Sequence, residues 1–129
     1  MKLWLDDVRK PPWGYDLWAK TYEECVAMLE SHPVAHVSLD HDLALEHYTA
    51  AASTGYMGTD IPRASFTKKT GYDVLIWMKD SGRWPAEVLV HTLNETGRRD
   101  MLALLQRHAP KRVRWKAEPY APHVPGRGR

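Results

Sequence analysis

Residues 34–42 read VAHVSLDHD, an apolar run from Val34 to Leu39 that stops at Asp40, His41 and Asp42. A run this short, entered after Pro33 and closed by acids, is a buried strand emptying into a polar loop. The same pattern stands on either side of it. Lys2 to Leu5 (KLWL) ends at Asp6 and Asp7, and Glu87 to Val90 (EVLV) ends at His91 and Thr92. Helical signals lie between these strands. Thr21 with Glu24 and Thr70 with Asp73 have capping-box spacing, and each precedes apolar residues at helical intervals. A further helix is expected to begin near Asn94 to Gly97 and to bury Met101, Leu102, Leu104 and Leu105. Two more strands are expected, Tyr15 to Lys20 and the basic, edge-like Lys111 to Lys116. Strands alternating with helices predict an α/β fold: a doubly wound, mostly parallel, five-stranded sheet covered on both faces. The first crossover, Asp6 to Tyr15, carries Pro11-Pro12 and is too short for a full helix, which leaves an antiparallel entry open.

The chain has 129 residues, enough for one domain of ordinary size, and the expectation is a single domain over 1–119 with a loose basic tail over 120–129. A hydrophobic fraction of 43% and a net charge of +2 place it among chains that bury a core. One cysteine, Cys25, excludes an internal disulfide and is expected to be a buried small hydrophobe in a reducing compartment. No stretch is long and apolar enough to span a bilayer, and no signal peptide is read at the start, so a cytoplasmic location without membrane contact is expected. The polar stretch from Ala44 to Lys69 carries Tyr48, Tyr56 and Phe66 and is expected to act as a lid or specificity loop.

In open α/β sheets ligands bind beyond the carboxyl ends of the strands, where the strand order reverses. A flavodoxin-like order 2-1-3-4-5 makes the first, third and fourth strands neighbours, so Asp6, Asp7, Asp40, Asp42 and His91 converge. Clustered carboxylates repel, and oxygen ligands without cysteine suit Mg²⁺ or Mn²⁺. Asp6, Asp7, Asp40 and Asp42 are therefore the candidate metal ligands, with Asp40 first among them. Strand alternation predicts that Asp40 and Asp42 share a direction while His41 points elsewhere. Arg9 and Thr92 are candidate phosphate contacts, and His91, His41 and Asn94 are candidates for acid, base or orienting work. Asn94 also stands where a helix N-cap belongs. His36 and Ser38 match the H-x-[ST]-x element of two-histidine phosphoesterases. That chemistry needs two copies, and His91-Thr92-Leu93 breaks the pattern, so His36 is expected to be a core-facing strand residue. From Arg107 onward seven basic residues face one acid, Glu118, which offers a possible contact surface for nucleic acid.

The blocks LDDVRKPP, VSLDHDL, TGYDVLIWM and HTLNETGRRDM, in that order between Met1 and Trp115, resemble the cyclic-phosphate-processing receiver-like domain family of bacteria and phages. The resemblance implies a receiver-like fold with an acidic metal pocket, and a role in processing cyclic phosphates of nucleotides or RNA ends. By the same resemblance Asp6 and Asp7 correspond to the receiver acidic pair and Asp40 to the phosphoacceptor-like position. His91-Thr92 corresponds to the hydroxyl region after the fourth strand, and His41, Asp42 and Asn94 are the family's own additions. A signalling receiver also places a lysine at the end of its fifth strand, where Lys116 is misaligned. The expected function is a metal-dependent phosphoesterase. The alternatives are a phosphoacceptor switch at Asp40 and a non-catalytic module binding a nucleotide or partner protein.

Overall fold

A computed structural model of the chain describes residues 1–43 and 68–118. Its elements, in order, are β1 (Lys2–Leu5), β2 (Leu17–Ala19), α1 (Tyr22–Ser31), β3 (His36–Leu39), α2 (Gly71–Ser81), β4 (Glu87–Val90), α3 (Glu95–His108) and β5 (Arg114–Ala117). The strands form one five-stranded sheet in the order β2-β1-β3-β4-β5, with every neighbouring pair parallel. This is the receiver-like α/β fold. The antiparallel entry left open by the short first crossover is not adopted, because β1 and β2 pair in parallel.

The helices begin where side chains can cap them. Thr21 accepts the Glu24 N–H, Thr70 and Asp73 form a reciprocal capping box, and Asn94 accepts the Gly97 N–H. Gly82 ends α2 in the left-handed region at φ 75°. The register then sorts the strand residues by face. Leu3, Val37 and Val88 lie in one row and Leu5, Leu39 and Val90 in another, and both rows are buried with Cys25 of α1, Leu75 of α2 and Leu105 of α3. Each such side chain contributes about 1.5–3 kcal/mol by leaving water. The three described helices share this single core.

The opposite face carries Trp4, Ser38, His36 and Glu87. The first crossover lies on it in place of a helix: Tyr15 packs edge-on against Trp4 at 5.3 Å, and the Trp4 indole N–H donates to the Arg9 carbonyl at 2.8 Å. His36 therefore does not face the helix-covered core as expected. It belongs to this second face, where its ring nitrogens meet the Tyr15 hydroxyl at 2.7 Å and Glu87 at 2.9 Å. Three strands are shorter than the apolar pattern predicts, and β3 starts at His36 rather than Val34. β5 starts at Arg114 because Pro110 opens a turn that Val113 closes, and β2 starts at Leu17 because Asp16 turns its carboxylate to the Lys2 N–H. The Ala44 to Lys69 loop lies almost wholly outside the described residues, as does the tail. No helix among the described residues is long and apolar enough to cross a membrane.

Candidate functional site

Three ladders each run one residue past their strands. The N–H groups of Asp6, Asp40 and His91 donate to the carbonyls of Ala19, Leu5 and Leu39 at 2.9–3.0 Å. Sheet register thus sets these side chains beside one another at the carboxyl end of β1, β3 and β4, where the chain reverses its winding. Asp6, Asp7 and Asp40 each present a carboxylate oxygen within 4.8 Å of the other two. Asp6 and Asp40 are 1% and 2% exposed. Asp6 Oδ1 accepts the N–H groups of Val8 and Arg9 at 2.9 and 2.8 Å, and Asp6 Oδ2 meets Arg9 Nε at 2.9 Å and His91 Nε2 at 3.1 Å. Arg9 Nη2 reaches Asp40 Oδ2 at 3.4 Å.

These contacts divide the acids electrostatically. Burial pushes Asp6 upward, but the bonds from His91 and from the Arg9 and Val8 N–H groups, with the Arg9 charge, bring it below the usual carboxylate range. Asp40 is pushed up to about 8 by burial and by the Asp6 charge, against the opposing pull of Arg9, the His41 N–H and Thr92. Among the described residues the Arg9 guanidinium meets two of these carboxylates, Asp6 and Asp40.

His91 lies flat against Trp4, ring centroids 3.8 Å apart and planes 8° from parallel, and its Nδ1 meets Ser38 Oγ at 2.7 Å. Burial lowers its pKa, although Asp6 pulls the other way. Asp42 departs from the expected direction. β3 ends at Leu39, so strand alternation does not carry through to it. Asp42 turns instead to His41 Nδ1 at 2.7 Å and to the Asn94 amide at 3.2 Å, outside the three-carboxylate group. Asn94 therefore serves two purposes, capping α3 through its oxygen and holding Asp42 through its nitrogen. Thr92 accepts the Asn94 N–H at 3.1 Å. The Nε2 of His41 is buried without a hydrogen-bond partner among the described residues.

Two groups of site residues emerge: Asp6, Asp7, Asp40, Arg9 and His91 in one, and His41, Asp42, Asn94 and Thr92 beside it. The sequence reading missed Trp4 and Tyr15, and it weighed Ser38 only as part of a two-histidine motif. It also missed Gly71 and Gly97. A Cβ on Gly71 would lie 1.8 Å from the Asp40 carbonyl oxygen, and one on Gly97 would lie 2.5 Å from His41 Cγ. The available signal was a glycine inside the first turn of each of two capped helices, where glycine is otherwise unfavourable.

The donor chemistry fits a hard divalent cation, since all three groups offer carboxylate oxygens. A family model described as cyclic-phosphate processing receiver domain matches residues 1–107. No curated protein and no solved structure matches the chain.

Proposed function

The chain belongs to the cyclic-phosphate processing receiver domain family, and from that premise we propose that it is a metal-dependent phosphoesterase opening the cyclic phosphate of a nucleotide or of an RNA end. The observation that carries this reading is the convergence of Asp6, Asp7 and Asp40 within 4.8 Å beside Arg9. These three acids would hold Mg²⁺ or Mn²⁺, which when bound polarises the phosphoryl group and makes water a better nucleophile.

The remaining chemistry falls to the chain's own side chains. In hydrolysis a water oxygen bonds to phosphorus, one ring P–O bond breaks, and the proton lost by water is balanced by one gained at the departing oxygen. His41 is the group for proton transfer, because Asp42 holds its Nδ1 and its Nε2 remains without a partner among the described residues. His91 has both ring nitrogens engaged, by Ser38 and Asp6, and serves to hold Asp6. Asn94 orients Asp42 and so the His41 ring.

The test is a panel of nucleoside 2′,3′-cyclic phosphates, 3′,5′-cyclic nucleotides and RNA with a terminal cyclic phosphate, each with Mg²⁺, Mn²⁺ or chelator. Phosphorus NMR should show conversion of the cyclic phosphodiester to a phosphomonoester only with metal. Absence of turnover of every substrate with either cation removes the phosphoesterase reading.

A further inference from the structure

Asp6 has no acceptor capacity to spare. A carboxylate offers roughly four lone-pair positions, and Asp6 fills them with the N–H groups of Val8 and Arg9, the Arg9 guanidinium and His91. A cation therefore reaches Asp6 only when one donor leaves. Three of the four are fixed. The two backbone N–H groups belong to the loop that starts at Asp6, and His91 is clamped between Trp4 and Ser38. The Arg9 guanidinium differs, because its side chain is 25% exposed and its contact to Asp40 is long at 3.4 Å.

The Arg9 backbone, by contrast, is held at both ends: its N–H donates to Asp6 Oδ1 at 2.8 Å and its carbonyl accepts the Trp4 indole N–H at 2.8 Å. The side chain thus pivots from an anchored base beside the crevice. A guanidinium released there is a planar fork suited to a phosphate. We propose that Arg9 is an exchangeable arm, which binds Asp6 and Asp40 until a divalent cation takes those oxygens and then passes to the phosphate of the substrate. Binding of cation and phosphate is thereby coupled through one side chain. This rests on the metal reading of the same three acids.

The test uses the full chain, with Mg²⁺ or Mn²⁺ as the cation and inorganic phosphate as the anion. In the wild type, saturating Mg²⁺ should move the Arg9 Nε–H NMR signal to the position and solvent exchange rate of a free arginine, and phosphate should shift it again. Arg9→Gln should bind Mn²⁺ roughly tenfold more tightly, as expected for loss of one charge-assisted competitor, and should lose the Mg²⁺-dependent gain in phosphate affinity. An Arg9 signal that stays in place at saturating Mg²⁺ overturns the exchange and leaves the metal site standing, as does equal Mn²⁺ affinity in the two proteins. Cation binding by Arg9→Gln alone supports the competition and overturns the metal reading of the wild type. Binding by neither overturns both. The wild-type spectrum decides the matter by itself should the variant fail to fold.

Discussion

At the scale of single residues, Asp40 carries the sharpest consequence. Its pKa in the folded chain is about 8 against an ordinary value of 3.8, so the folded state holds its proton more tightly than the unfolded state does. Below pH ~4 both states are protonated; as pH rises from there towards 8 the unfolded chain ionises freely and the folded chain does not. Asp40 therefore costs stability progressively over that window. Asp6 has the opposite sign, its lowered pKa adding stability that disappears as pH falls through the acidic range. In chelator, wild-type protein should lose stability between pH 5 and pH 8. Asp40→Asn should be flatter over that range and more stable than wild type at pH 8, with its Mn²⁺-dependent rise in melting temperature abolished. Urea denaturation at the two pH values checks this; matching pH dependences in the two proteins would refute it. The identities of Asp6 and Asp40 were legible from apolar runs ending in acids. The difference between them was not, because it comes from Arg9, Val8 and His91, whose arrangement local pattern does not encode.

At the scale of elements, the site is tied to helix starts as much as to strand ends. Gly97 lies in the first turn of α3, where alanine would ordinarily favour the helix by up to about 1 kcal/mol. Here the added methyl would meet the His41 ring, so the sign reverses. Gly97→Ala should lose about 1–3 kcal/mol of stability, as overpacking does, and should shift the His41 ring resonances. A variant as stable as wild type with His41 unmoved would show that the contact is soft. The caps at Thr21, Thr70 and Asn94 were readable because an N-cap and its partner lie within four residues of one another. The starts of β2, β3 and β5 were not. Tyr15 leaves the strand pattern to pack on Trp4, which lies on another strand, and the Pro110 turn delays β5.

At the scale of the whole molecule, the fold is that of a receiver while the site departs from one. Lys116 is 65% exposed and pairs with Glu118 at 3.7 Å, whereas among the described residues Arg9 is the cation that meets Asp40. Treatment with acetyl phosphate and Mg²⁺ should therefore add no phosphate mass to the intact chain; a stable acyl phosphate at Asp40 would favour the switch over the phosphoesterase. The amino-acid sequence by itself determined the alternation of strands and helices, the caps, and the acids and histidine at the strand ends, because each depends on residues near one another in the chain. Only the tertiary structure decided that His91 meets Asp6 across 85 positions and Ser38 across 53. It also decided that Arg9 bridges Asp6 and Asp40, and that Asp42 turns to His41 and Asn94. These contacts are set by strand order and register and by where β3 stops; a shift of one residue in the register of β3 would turn Ser38 to the other face, away from His91.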